Sequence, residues 1–555
     1  MSRRARAAAV GAACALLLAP SLAGASQRPT AFAATNPPIP VREATMPPGA
    51  QELSYRFGPM TIRPGQNLIG VDLQRERPNV NGWIVGFRPG LVNASDGRSP
   101  PVTQVHLHHA VWLVALKPTF AAGEEKTYIH APDGYGWRYT TRQFLVLNHM
   151  IHDLSASSRK VFITYKLWFI PDSSPQAASI KEISTLWMDV QRGKAYPVFD
   201  APRGSGSGGT LTYPDQVPRA YGNGPVRNRW VADRDATLVT TAGHLHPGGL
   251  WTDLLVTRGG VTKRLFRSRA NYFEPAGAVS WDVSMSASGP QWKVAIKKGD
   301  VLSTTATYDT ARASWFEVMG IMVVGITGTP DGGVDPFASA LDQTDYLTHG
   351  RLPENIDEGV RKPNPGLTNP LRLRRGPLVD RVRIRNFAFD QGDLSSRGAR
   401  ALPPSVPQGS ALTFVNRDSP LTIRFHTITA CRAPCNLTGG IGYPLAGGRT
   451  IFDSGELGYG PTLSSRLYST GTGDTAPITA ATPKPAPAER CRDVPGLVRV
   501  VSNGCVGSST WRTPKNLTPA LYTYFCRIHP FMRGAFRVVP RRQSSRGSRP
   551  RRPAA

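Results

Sequence analysis

Turn-forming residues recur so often along this chain that long helices have little room to form. Of its 555 residues, 55 are glycine and 50 are proline. Glycine supplies positive φ, and proline fixes φ while removing an N–H donor, so both punctuate short elements. Between them lie runs rich in β-branched and aromatic residues, at 104–116, 143–151, 160–170 and 183–190. Runs of this kind, bounded by Gly, Pro, Asp and Ser, read as strands of a sandwich. No long amphipathic helical pattern and no fixed-period repeat stand out. The fold class expected is therefore all-β.

Composition shifts divide the chain. Residues 26–50 form a Pro- and Ala-rich lead-in, and 50–195 make a first strand-rich block. The glycine-rich stretch at 201–228 reads as a linker or long surface loop opening a second block that ends at 328. Residues 329–375 are polar and Pro-rich without apolar periodicity, which marks an interdomain linker. A third block spans 376–540. The apolar fraction of 40% is enough to build cores in each block.

The first 25 residues have the layout of a secretory signal peptide. Arg3, Arg4 and Arg6 precede a short apolar run at 7–18, and Ala23-Gly24-Ala25 forms a small-residue cleavage site. No later run is long and apolar enough to span a bilayer, so a secreted, extracytoplasmic protein is expected. The net charge is +28, and residues 541–555 hold six arginines and no acid. Anionic wall polymers or a membrane surface would attract such a basic, disordered tail, although a solubilising role accounts for it more simply. No basic stripe is interleaved with aromatics, so no specific nucleic-acid partner is expected.

Sulfur and imidazole carry the chemistry. Six cysteines are present, and Cys14 falls within the signal. Of the remaining five, four can form two disulfides, and Cys526 is the candidate for the thiol left over. It lies in the run Cys526-Arg527-Ile528-His529-Pro530-Phe531-Met532, a C-x2-H-x2-M pattern, with His426 about a hundred residues upstream. One thiolate, two imidazoles and a thioether make a mononuclear blue-copper donor set, with Met532 the weak axial ligand.

A second constellation is spread over the first two blocks. It comprises His106-Leu107-His108-His109, the run Asn148-His149-Met150-Ile151-His152-Asp153, the pair His244-Leu245-His246, and Met319. Strand periodicity puts His244 and His246 on one face. His108 and His109 would point oppositely in a regular strand, and a bulge or strand end would let both converge. Imidazoles with one thioether suit copper cycling between its two oxidation states better than zinc. His130 and His349 have no companions, and His349 is expected to be an exposed linker residue.

The loop from Cys526 to Met532 resembles that of the amicyanin-like cupredoxins, over about 376–540. The resemblance implies a Greek-key sandwich and a blue-copper site at His426, Cys526, His529 and Met532. The departure is an insertion at about 430–495, where a disulfide-stapled excursion is expected, with Cys431–Cys435 and Cys491–Cys505 the preferred pairing. A nitrite-reductase-like architecture needs a His beside the blue-copper Cys, and here Phe525 and Arg527 flank it.

The histidine runs at 50–328 resemble the copper type II, ascorbate-dependent monooxygenases, the family of peptidylglycine α-hydroxylating monooxygenase and dopamine β-monooxygenase. The resemblance implies two jelly-roll-like β-sandwich subdomains. It also implies one copper held by His108, His109 and His152, with His149 a competitor for the third place. A second copper, where oxygen is activated, would sit at the catalytic set His244, His246 and Met319. Residues 26–430 lack the family's cysteines. The peptidylglycine enzyme's carboxylate clamp is missing too, since Ala242, Ile321 and Val323 occupy its positions. These side chains cannot replace a bidentate Arg, so peptide amidation is not expected and an apolar or neutral substrate is.

Together these features imply an exported copper-dependent monooxygenase-like protein that hydroxylates a C–H bond, with dioxygen and an unknown organic substrate as partners. The fused blue-copper domain would take electrons from a small reductant or redox protein. One type 1 and two type 2 coppers are expected. The alternatives are an extracytoplasmic copper-binding or storage protein, and an electron carrier without turnover.

Overall fold

Strand pairing accounts for nearly every regular element, as the turn-rich sequence requires. A computed structural model describes residues 38–541, apart from 64–67, 103, 124, 156, 192–197, 202, 218–219, 221–227, 274–280, 312–314, 354–367, 419–425, 433–449, 455–456, 458–461, 464–465, 468–509, 527–528 and 530. The chain is all-β, and the helical elements among the described residues are three short 3-10 turns. No helix there is long and apolar enough to cross a membrane. The expected signal peptide, the disulfide pairing and the basic tail beyond residue 541 lie outside the described residues.

The first sandwich packs Gln51–Ile62, Arg159–Pro171, Gly82–Asn93 and Tyr135–Tyr139 against Leu68–Gln74, Leu145–Asp153, Val105–Val114 and Lys117–Gly123. Its core holds Leu107, Trp112, Phe120, Tyr165 and Phe169. The second is built around Ala236–Leu245, Gly249–Arg258, Val261–Tyr272, Val301–Asp309 and Gly320–Thr327, with Leu238, Phe266 and Trp292 inside. The third closes over Phe414, Trp511, Tyr524 and Phe536.

Three boundaries differ from the sequence expectation. The strand Lys181–Asp189, assigned to the first block, pairs along its length with Gly320–Thr327 of the second and over only two positions with Tyr135–Tyr139. It therefore stitches the two sandwiches into one continuous ribbon. The glycine-rich stretch contains a strand, Thr210–Tyr213, paired with Val301–Asp309. The expected linker at 329–375 contributes Asp345–Leu347 to the sheet beside Val283–Ser288. An Arg269–Asp345 ion pair at 2.7 Å anchors it, and His349 is buried rather than exposed. Short polar strands escape detection because their stability comes from ladder partners distant in sequence.

Candidate metal centres

The strand Val105–Val114 shows how local irregularity builds a site. Val105 and Leu107 point into the first core, and so do Ala110, Trp112 and Val114. The inward parity thus switches from odd to even between Leu107 and Ala110. The ladder to Leu145–Asp153 shifts by one residue at the same place, which is the signature of a β-bulge. The consequence is that His106, His108 and His109 all lie on the outward face. That face is covered by the second sandwich, so none of them reaches solvent freely.

The two adjacent histidines nonetheless take different surroundings. His106, His108 and His152 form one group whose ligand atoms all lie within 4.8 Å of one another. His108 stacks on His152 with ring centroids 4.1 Å apart. Trp281 covers His106 at 4.2 Å. His246, from just past the strand Ala236–Leu245, meets His108 across the interface at 4.5 Å. His109 turns the other way, and its Nε2 contacts Asn148 Oδ1 at 3.1 Å.

Period-two alternation separates His149 from His152. Leu145, Leu147 and Ile151 face the core, so His149 is on their side and His152 on the opposite one. His149 Nε2 instead pairs with Asp72 at 2.9 Å, and its ring lies 5.5 Å from that of Phe57. The trio expected from sequence, His108, His109 and His152, is thus regrouped: His106 joins His108 and His152, while His109 and His149 do not.

His244 and His246 are also in different company. Their rings are 5.2 Å apart at 77°, because the strand ends at Leu245 and alternation lapses beyond it. His244 Nδ1 donates to Glu125 Oε2 at 2.8 Å, and the other oxygen of that carboxylate accepts the Gly123 N–H at 3.0 Å. His244 and Met319 line one cavity together with His109 and Asn148. Tyr308 fixes this end of the second sandwich: its hydroxyl accepts the His246 N–H at 3.1 Å and donates to the Met319 carbonyl.

Burial keeps His106, His108, His109 and His152 uncharged. It pushes His106 and His109 down to about 4. It also holds His108 and His152 well below the ordinary value, with neighbouring imidazoles adding to the effect. A neutral imidazole is the form that binds a metal. Among the described residues, His106 Nε2 and His244 Nε2 are buried without a hydrogen-bond partner. At His106, an orphaned ring nitrogen beside two other imidazoles fits a bound cation better than a packed core.

The third sandwich carries a compact sulfur–imidazole group. His426, Cys526 and His529 are fully buried, with ligand atoms within 4.8 Å of one another. Cys526 Sγ lies 3.6 Å from His529 Nδ1 and 4.0 Å from His426 Nδ1. The two Nδ1 atoms are 3.2 Å apart. Donors so spaced can all reach one ion at the usual bond lengths of about 2.0–2.3 Å. Met532 is buried in the same apolar cluster as Cys526, and its carbonyl accepts the Cys526 N–H at 3.1 Å.

Side chains and main chain around this group hold it in place. Asp418 Oδ2 accepts from His426 Nε2 at 3.1 Å, leaving Nδ1 turned toward the sulfur. Asp418 is itself held by the Asn386 and Phe387 N–H groups. The Phe387 ring caps both imidazoles. Burial works to raise the Cys526 thiol, but the His426 hydrogen bond and the N–H groups of Thr427 and His529 outweigh it and leave the thiol below its ordinary value. Burial likewise works to lower His426, and its bonds to Asp418 and Cys526 carry it above. The result favours thiolate beside imidazolium, the state from which a metal displaces a proton.

The residues that orient or cover these donors, Asp418, Glu125, Asn148 and Trp281, carried no sequence signal, being far from their partners along the chain. His106 did carry one: with His108 it makes the same H-x-H spacing as His244 and His246.

No protein-family profile and no curated protein matches this chain. Among solved structures, recombinant peptide:N-glycanase F aligns at 7% identity and a TM-score of 0.27, over 51% of this chain and 98% of that one. The copper-containing nitrite reductase of Thermus scotoductus SA-01 aligns at 12% and 0.15, over 54% of this chain and 55% of its own. The glycosylasparaginase from Flavobacterium meningosepticum aligns at 8% and 0.18, over 54% and 96%. Likeness at this level carries no functional inference.

Proposed function

We propose that this chain is an exported, copper-dependent redox protein that hydroxylates a C–H bond with dioxygen and receives electrons through its third sandwich. The observation that carries it is the burial of several neutral imidazoles against one another at the interface of two sandwiches. Packed apolar side chains would stabilise such an interface better, so the imidazoles are retained for a ligand.

Copper, when bound, supplies reversible one-electron chemistry, to which imidazole, thiolate and thioether donors are suited. His426, Cys526 and His529 would hold one ion, with Met532 as the weak fourth donor. His106, His108 and His152 would hold another, with His246 beside them. His244 and Met319 face the cavity next door, and with His246 they are the residues for a third. Asp418 fixes the orientation of His426, and Glu125 that of His244, so that each presents a defined nitrogen. The apolar surroundings of each set exclude water. The remaining partners are dioxygen, a small reductant or redox protein, and an organic substrate.

Metal analysis of the purified chain, with optical and electron paramagnetic resonance spectra, tests this. Three coppers per chain are expected, one with an intense sulfur-to-metal charge-transfer band that Cys526→Ser removes. Zinc in place of copper, or a band that survives that substitution, overturns it. The depth of the first imidazole group, with His106 2% and His108 5% exposed, favours a second reading as a copper store or electron carrier. Oxygen uptake with a reductant separates the two: consumption beyond the bound copper belongs to the enzyme, and a single stoichiometric burst to the store.

A further inference from the structure

Between the two sandwiches lies a cavity of about 290 Å³ whose polar groups gather around His109, Asn148 and His244. Its remaining walls are mostly apolar, among them Val111, Leu113 and Ile321. We propose that this cavity binds a small, uncharged, largely apolar molecule carrying one hydrogen-bond donor, held against His244. The proposal names the substrate class of the monooxygenase activity and rests on that activity only for the chemistry after binding.

Three observations carry it. The first is size: the volume sits at the bottom of the roughly 300–1,000 Å³ range of small-molecule pockets, so a peptide does not fit inside. The second is charge. Among the described residues, no lysine or arginine lines the cavity and Asp189 does, so a carboxylate entering it would be desolvated, unpaired by any of these and near an acid. Burying an unpaired charge costs far more than apolar contact returns. The third is the preparation of His244. Its Nδ1 is committed to Glu125, a residue 2% exposed. Its Nε2 is buried without a partner and, in the metal-free chain, is ready to accept from an O–H or N–H, a place that copper would take in the loaded chain. Glu125 comes from the first sandwich and His244 from the second, and His349 Nε2 donates to the Glu125 carbonyl. The binding nitrogen is thus positioned only when both sandwiches and the segment after them are docked.

The test uses the full chain freed of metal, so that binding is read apart from turnover. Benzyl alcohol and cyclohexanol are titrated by calorimetry at neutral pH beside benzoate and benzylammonium. The alcohols are expected to bind one per chain, with both ions at least tenfold weaker. Ala122→Trp and Val323→Phe, each filling the cavity, are expected to abolish alcohol binding while near-ultraviolet circular dichroism shows a folded protein. Crystals soaked in 4-bromobenzyl alcohol locate the bromine by anomalous scattering whether or not those variants fold. Bromine between Trp187 and His244 supports the site, and bromine elsewhere overturns it. Absence of alcohol binding, or either ion binding as tightly, also overturns it. A chain that binds the alcohols but consumes no oxygen retains the site and loses the monooxygenase activity.

Discussion

Single side chains set the charge state of each donor group. Asp418 is buried, and it is tied at once to His426 and to two backbone N–H groups. Removing such an orienting carboxylate typically costs about 10–100-fold in metal affinity. Asp418→Ala is expected to weaken copper binding at Cys526 by that factor in a chelator competition, with the imidazole group of the first sandwich unaffected. The buried histidines also make the metal-free protein acid-sensitive. His106, His109 and His130 are held by burial at about 4 in the fold, against about 6.5 when unfolded. Between those values the unfolded chain binds more protons. Stability therefore is full above about pH 6.5 and falls as the pH drops toward 4, by up to about 1.4 kcal/mol per pH unit for each such group. His426 is raised instead, so its contribution is full below about pH 6.5 and is lost as the pH rises through its folded value. Urea unfolding across pH 4–7 measures the sum, in which the depressed histidines, His108, His149 and His152 among them, dominate, and His130→Phe is expected to flatten the slope.

Within one strand, a single extra residue in Val105–Val114 decides which way three histidines face. Without the bulge, His108 and His109 would lie on opposite sides of the sheet, and one of them would enter the first core. The end of Lys117–Gly123 shows comparable constraint. A Cβ at Gly123 would lie 2.6 Å from His244 Cε1 and 2.7 Å from Glu125 Oε2, so the strand can approach the pair only because this residue has no side chain. Gly123→Ala is expected to displace His244 and cost about 1–3 kcal/mol in thermal unfolding. Alcohol binding at the cavity is expected to weaken with it, and a variant with unchanged stability and binding would show that the pair is loosely held.

Across the molecule as assembled, the residue preceding Cys526 belongs to a neighbouring core. Phe525 is 1% exposed and buried in the cluster of Leu245, Tyr308 and Trp315 in the second sandwich. Tyr308 in turn holds the backbone at His246 and Met319. The third sandwich is thus docked at the very strand end that carries its sulfur, with its donor group one residue from the interface. Phe525→Ala is expected to cost about 3–5 kcal/mol and to split calorimetric unfolding into two transitions. The charge-transfer band at Cys526 is expected to persist, because none of its donors is removed.

The all-β class was legible in the chain, because glycine and proline spacing and β-branched runs are local signals that any packing must respect. So was the grouping of Cys526 with His529, since both lie in one short loop and a loop keeps its residues together however it is packed. The choice between His149 and His152 stayed open in the sequence, and the strand's pairing and packing put His152 beside His108 and His149 on the core side. The rest came from folding in three dimensions. Only pairing between distant strands could reveal the bulge that turns His108 and His109 to one face, bring His106 to His152, and set His246 against His108. Only docking of the two sandwiches could place Glu125 on His244 and enclose a cavity beside them. Contacts of that kind are set by register and by surface burial between segments distant along the chain, for which no run of residues carries a local mark.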